Sequence, residues 1–324
     1  MSRIWSFVNL FVCMITLFGC TQPNNIKGTH INKDNFIFAI KKNDTLSLDK
    51  YYLKNNLSTD TKPVVIFAFG GGFKGGDKAR KEYIPFFDFL VQQGFIVVSI
   101  DYRTMLKDTN ASLISSPLDF VNLLRGAIDT AVVDLYDATK FVVQHQKDWH
   151  IDPDKIISCG SSAGAITVLQ AEYALCNTQE IAKRAPADFH YAGVISLAGA
   201  IYDQDSIHWE KCPCPIMMFH GDADNIVPFE QATMDKLGGL WGSFTLAKSL
   251  DSIQSSFRFH QIKNADHEIS ERPLSSEQFD IMEFLIRQVL NKESLSIRVY
   301  ESIPGDTTRA KKLTIQDYLS NNLR

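Results

Sequence analysis

The chain has 324 residues, of which 45% are hydrophobic and 22% charged, with a formal net charge of −4. This balance is that of an ordinary globular protein long enough for one large core, and it offers no basic stripe for nucleic acid. The acidic excess is too small to imply a cationic partner.

At the N-terminus, Arg3 supplies a positive start and residues 4–18 form an apolar run, too short to span a bilayer but suited to a signal h-region. The run ends Leu17-Phe18-Gly19-Cys20, which resembles a bacterial lipobox. That resemblance implies removal of residues 1–19, a lipid anchor on Cys20, a polar tether over 20–33 and a cell-envelope location, periplasmic or associated with the outer membrane. Of the six cysteines, Cys13 then leaves with the signal and Cys20 is taken by lipid. Cys159 reads as a small buried hydrophobe. In an oxidising envelope, a bridge from Cys176 to Cys212 or Cys214 is expected in preference to a ring within Cys212-Pro213-Cys214. No second Cys or His pair stands at zinc-like spacing from that Cys-Pro-Cys, so no metal is expected.

Residues 34–292 read as one domain, with 293–324 as a C-terminal appendage. Asn35 to Lys41 and Tyr51 to Lys54 suggest early antiparallel strands at one edge. Pro63 to Phe69 is a continuous β-rich run, the pattern of a strand buried on both faces, and it leads into Gly70-Gly71-Gly72-Phe73. Glycines there let backbone N–H groups turn towards an incoming oxygen, and no G-x-x-x-x-G-K-[ST] follows to make a phosphate loop. A helix is predicted over Tyr83 to Gln93, a strand over Phe95 to Ile100, and an irregular polar stretch over Thr104 to Pro117. Apolar residues at 121, 124, 128, 132, 135, 138 and 142 predict one long helix over 120–146. Ile151 to Asp154 is expected to turn the chain into the next strand, Lys155 to Cys159.

That strand delivers Gly160-Ser161-Ser162-Ala163-Gly164, a G-x-S-x-G followed by residues that can open a helix. Strand, small residues and helix in this order suit a strained turn that frees a serine hydroxyl, so Ser162 is the candidate nucleophile. Further buried strands are predicted over Gly193 to Leu197 and Pro215 to Phe219, and the segment between them is too short for a cap domain. Phe257 to Ile262 follows as a strand, and Ser275 to Leu290 as a helix with Phe279, Met282, Ile286 and Leu290 on one face. The appendage suggests a strand over Ser296 to Tyr300 and a short helix near Leu313. Strands alternating with helices predict an α/β fold, a doubly wound, mostly parallel sheet with helices on both faces.

Serine is a weak nucleophile at neutral pH and needs a histidine base oriented by a carboxylate, both in loops beyond the carboxyl ends of strands. Of eight histidines, His267 meets this requirement: it follows the last core strand and precedes the last core helix. His220 closes its strand, where packing or capping is the simpler role. The acid is sought in the loop His220 to Pro228, where Asp222 and Asp224 both qualify; Asp203 and Asp205 are outside candidates. A metal cluster of His220, Asp222 and Asp224 would need further ligands, and no partner motif accompanies it.

On F-G-G-G-F at 69–73, D-Y-R at 101–103, G-S-S-A-G at 160–164, H-G-D-A-D-N-I-V-P at 220–228 and D-H-E at 266–268, the chain resembles the α/β-hydrolase superfamily. The resemblance lies in its carboxylesterase/lipase branch, near the hormone-sensitive-lipase-like and dienelactone-hydrolase-like groups, and covers about residues 60–290. It implies Asp224 as the acid, with Asp222 in reserve, and the N–H groups of Gly71, Gly72 and Ala163 as the oxyanion hole. Phe69 replaces the histidine of the usual H-G-G-G. The implied activity is hydrolysis of small or carbohydrate-borne esters through an acyl-enzyme on Ser162, with no cofactor. A prolyl-oligopeptidase-like peptidase shares the triad, but too few residues precede Pro63 for its propeller. A catalytically silent binding protein on the same fold is the third reading.

Overall fold

The computed structural model describes residues 31–322, apart from 43, 55–59, 110–113, 115, 303 and 305–311. The signal segment, Cys20 and the tether up to residue 30 lie outside the described residues. Among the described residues no helix is long and apolar enough to cross a membrane.

A nine-stranded sheet runs in the order β1-β2-β4-β3-β5-β6-β8-β11-β12. Its centre is parallel: β3 (Lys62–Ala68) lies between β4 (Ile96–Ile100) and β5 (Ile151–Ser161), and β6 (Gly193–Leu197), β8 (Ile216–Gly221) and β11 (Phe257–Lys263) continue outward. Val64 to Ala68, Ile96 to Ile100 and Val194 to Leu197 are almost wholly buried, as expected of strands covered by helices on both faces. The antiparallel edge is β1 (Ile31–Lys41) against β2 (Asp44–Leu53). Strand β1 starts at Ile31, so residues 31–33 belong to the sheet and not to a tether.

The covering helices include α1 (Ile84–Gln92), α2 (Pro117–Gln144) and α3 (Ala163–Cys176). Helix α2 starts three residues before the predicted start at Phe120, because Ser116 accepts a hydrogen bond from the Asp119 amide and Pro117 fits the first turn. The turn expected at 151–154 is a bulge inside β5. Lys62 pairs with Ile151 and Val64 with Ile156, so the intervening residues loop out, with the Asp154 amide on the Asp152 carboxylate.

A second sheet of three antiparallel strands, β7 (Ala200–Asp203), β10 (Gly238–Gly242) and β9 (Gln231–Met234), joins two connections that carried no strand signal. Helix α4 (Ser243–Ser252) follows it. The expected single helix over 275–290 is instead α5 (Pro273–Ser276), α6 (Gln278–Phe284) and a π-helical turn over Leu285–Leu290. Its buried face is Ile281, Met282, Phe284, Leu285, Gln288 and Val289; of the expected face Met282 is buried, whereas Phe279 is 83% exposed and Ile286 45%. Two apolar stripes compete here, and the one containing a glutamine wins because Gln288 donates to Ser256 Oγ and to the Leu295 carbonyl.

Residues 293–322 are not an appendage. Strand β12 (Ser296–Ser302) pairs in parallel with β11 as the outermost strand, and α7 (Ile315–Asn322) packs Tyr318, 4% exposed, against Phe120. The four described cysteines are all free thiols, so the expected bridge from Cys176 is not formed. Their partners differ: Cys176 donates to Glu172 Oε1, which also accepts the Cys214 amide, while Cys212 faces Ser255 Oγ.

Candidate active site

The chain passes from β5 into α3 through Ser162, held at φ 50°, ψ −115°. A non-glycine residue there is strained and persists only where its surroundings enforce it. The enforcement is visible in the glycines on either side. A Cβ at Gly160 would come within 2.2 Å of the Gly164 carbonyl oxygen, and one at Gly164 within 2.1 Å of the Ala68 carbonyl oxygen. Strand, helix and neighbouring strand can therefore close around the serine only with both glycines present.

The loop after β11 brings His267 to this serine. The Ser162 hydroxyl donates to His267 Nε2 at 2.8 Å, and His267 Nδ1–H donates to Asp224 Oδ2 at 2.8 Å. With the carboxylate claiming Nδ1–H, Nε2 is left as the acceptor, the tautomer that can take a proton from serine. Asp224 Oδ1 accepts the amides of Ile226 and Val227 at 2.8 and 2.9 Å. Burial alone would raise the Asp224 carboxyl, but His267 and His220 outweigh it and hold it well below the usual carboxylate range. Burial alone would likewise lower the His267 imidazole; the Asp224 charge and hydrogen bond prevail, helped by Asp266 and Glu271, and raise it.

Asp222 stands elsewhere. Its Oδ1 accepts the Asn264 amide at 2.7 Å, and the amides of Asp222 and Ala223 donate to the carbonyls of Ile262 and Ala265. These bonds brace the acid loop against the histidine loop, as do Asn225 N and Nδ2, both donating to the Asp266 carboxylate. Asp203 accepts from Tyr173 Oη and from the Asp205 amide, in the second sheet. His220, expected only to pack, also touches the acid: its Nε2 lies 3.4 Å from Asp224 Oδ2, and Ser243 Oγ meets its Nδ1 at 2.8 Å. Nothing in the spacing of Ser243 announced this, because α4 reaches the site only through the second sheet.

The glycine loop leaves β3 directly beside Ser162, where a Cβ at Gly70 would lie 3.2 Å from Ser162 Cβ. Gly71 and Gly72 have φ of 145° and 62°, and a Cβ at Gly71 would overlap the Gly75 carbonyl. Ala163 is the first residue of α3, so its N–H has no acceptor within the helix. Phe69, in place of a histidine, stacks on Tyr102 at 4.4 Å between ring centroids, and Tyr102 Oη donates to the Phe69 carbonyl at 2.7 Å. Arg103 next to it forks onto the buried Asp134 carboxylate of α2. The D-Y-R stretch thus fastens the glycine loop to the core. Beyond Phe69 and Tyr102 lies a cleft of about 720 Å³, with Asp44, Asp101, Arg103, Thr104 and Lys107 in its walls. Among the described residues no group of three or more His, Cys, Asp or Glu side chains could hold a metal ion.

The fold and this geometry define the class: an α/β-hydrolase fold that carries a Ser-His-Asp arrangement. Within that class, residues 48–201 match the BD-FAE family model. A probable isoprenylcysteine alpha-carbonyl methylesterase of Arabidopsis thaliana is 35% identical over 118 residues, 36% of this chain and 20% of that protein. The fumonisin B1 esterase of Sphingopyxis macrogoltabida is 32% identical over 105 residues, 32% of this chain and 18% of its own length. The chain thus spans about a fifth of the length of these relatives. A thermophilic esterase from Thermogutta terrifontis shares the fold with a TM-score of 0.58 and 19% identity, over 78% of this chain and 91% of that one.

Proposed function

We propose that this protein is a serine carboxylesterase acting on small or carbohydrate-borne esters. One observation carries the reading: an unbroken hydrogen-bonded path from the Ser162 hydroxyl through His267 to the buried Asp224. Ser162 Oγ attacks the ester carbonyl while His267 Nε2 takes its proton, and the charge that develops on the carbonyl oxygen is met by the N–H groups of Gly71, Gly72 and Ala163. His267 then passes the proton to the departing alcohol. Water, activated by the same imidazole, attacks the acyl-enzyme and regenerates the serine. Asp224 keeps the imidazole in the working tautomer and stabilises the imidazolium. Each step uses groups of the chain and water alone, so no cofactor enters.

The choice of a hydroxylated alcohol moiety leans on the polar cleft walled by Phe69 and Tyr102, which holds charged and hydroxyl side chains but none of Ser162, Asp224 or His267, so that moiety would have to extend across Phe69 to reach it. The esterases among the compared proteins support the choice of ester over amide. A cell-envelope location with a lipid anchor on Cys20 is a separate part of the proposal, supported by the lipobox-like Leu17-Phe18-Gly19-Cys20. Labelled fatty acid carried by the wild type and absent from Cys20→Ser checks the anchor.

The central test is labelling by a fluorophosphonate with Ser162→Ala as control, followed by a chain-length series of p-nitrophenyl esters beside aminoacyl amides. Serine-dependent labelling with ester turnover supports the proposal. Amide turnover in preference to esters would replace it with a peptidase, and absence of labelling with a silent fold.

A further inference from the structure

The last helix reaches the acid from behind. Asn321 Nδ2 donates to the Asn225 carbonyl at 2.7 Å, and Asn322 Nδ2 to the Ile226 carbonyl at 3.0 Å. These are the carbonyl ends of the two peptide units whose N–H ends, Ile226 and Val227, donate to Asp224 Oδ1. In a trans peptide the C=O and N–H point in opposite directions. Each unit therefore bridges one asparagine amide and the triad carboxylate, and a donor on the carbonyl strengthens the N–H bond at the far end.

We propose that Asn321 and Asn322 are positioning residues for the ester hydrolysis, holding the two peptides that aim the Asp224 carboxylate at His267. The inference rests on the reading of Asp224 as the triad acid. Helix α7 is suited to the task because Tyr318 fixes it independently: the ring is buried against Phe120, with the acid's charge near enough to act on its hydroxyl. The Thr314 hydroxyl and amide, both donating to Asp317, fix the first turn of the helix. Loss of the amides would leave α7 docked and the acid less tightly aimed.

The test compares the wild type with Asn321→Ala, Asn322→Ala and the double variant. Neither asparagine touches substrate, so kcat of the double variant should fall roughly three- to tenfold, the worth of a hydrogen bond or two, with KM unchanged. The pH profile supplies a readout that a merely structural role would not move. His267 is faced by Asp224, Asp266 and Glu271, the last paired with Arg80, while Asp224 is faced by His220 and Tyr318. Only the Asp224 contribution depends on the asparagines, so weakening it moves the acidic limb of kcat/KM to lower pH. If the double variant lowers the melting temperature, Asn321→Ala alone carries the same test through the first peptide.

Unchanged kcat and an unchanged limb in a folded variant overturn the inference while a fluorophosphonate-labelled wild type keeps the esterase reading. A wild type that neither labels nor turns over esters removes both.

Discussion

His267 Nε2 lies 2.8 Å from the hydroxyl of Ser162, 105 residues earlier in the chain, and its opposite nitrogen is held by Asp224 at the same distance. The imidazole must be neutral to accept the serine proton, yet Asp224 raises its pKa. Activity should therefore rise with pH through an acidic limb above the ordinary histidine value of about 6.5. Asp224→Asn should lower that limb, as read from the pH dependence of kcat/KM. The stability linkage has the opposite direction. A raised folded pKa contributes stability that is fully present below about pH 6.5 and is lost as pH rises through the folded value. Urea unfolding at pH 6 and pH 8 should show this loss in the wild type and not in Asp224→Asn.

The two aspartates of the acid loop should separate cleanly. Asp224→Asn can set an amide donor against Nδ1, which puts the ring proton on Nε2 where it cannot accept from Ser162, and is expected to cost about 10⁴ in kcat. Asp222→Asn keeps an oxygen for the Asn264 amide and should stay within about threefold, with a stability change near or below 1 kcal/mol. Steady-state kinetics on both variants decide the assignment.

Two glycines should fail in different ways. A methyl at Gly164 meets backbone oxygens of Ala68 and Phe69, which cannot yield separately, so Gly164→Ala should cost about 3 kcal/mol or more in folding. A methyl at Gly70 meets the Ser161 hydroxyl and Ser162 Cβ. Gly70→Ala should therefore lower kcat at least about tenfold, with a smaller loss of stability than Gly164→Ala, since its contacts are looser and fall on the end of β5 and on Ser162 itself.

Tyr102→Phe removes the donor that holds the Phe69 carbonyl and keeps the stacked ring. The buried carbonyl left behind should cost about 1–3 kcal/mol, seen in denaturant unfolding. Because the next residue opens the glycine loop, kcat should fall as well, with a smaller change in KM.

The thiols should react in the order of their burial. Cys212 is exposed, whereas Cys159 and Cys176 are buried and burial pushes both thiols up. Alkylation of the native protein without reductant, read by mass spectrometry, should modify Cys212 first and Cys159 only after unfolding. Two cysteines that take up no alkyl group after unfolding, in a protein two mass units below its free-thiol form apart from the adducts on the others, would instead reveal a disulfide.

The parallel core could be read from the sequence because strands such as Val64 to Ala68 are buried on both faces and leave uninterrupted apolar runs. The strained turn at Ser162 was legible because its signature is contiguous in sequence, although only Gly160 is demanded by a contact within the turn; Gly164 is demanded by the Ala68 carbonyl of β3. Spacing did not separate Asp222 from Asp224, since both occupy the same short loop; the resemblance pointed to Asp224, and the fold separates them by giving Asp224 to His267 and Asp222 to the Asn264 amide. The second sheet stayed hidden because β7, β9 and β10 are only four or five residues long, and although β9 and β10 pair as sequence neighbours, β7 joins them from far off in sequence. The helix over 275–290 misled for another reason: it carries two apolar stripes, and the choice between them depends on a hydrogen bond from Gln288 to a residue 32 positions away. Ser243, Asn321 and Asn322 reach the site through tertiary packing alone, and no motif marks such residues.

Strand β12 gives the order of synthesis a physical meaning. Until residues 296–302 leave the ribosome, β11 presents an open row of backbone donors and acceptors beside Phe257 and Phe259, the kind of edge on which unfinished chains stick to one another. A translation product cut short before that strand is thus expected to be a substrate for chaperones and proteases and not a smaller enzyme.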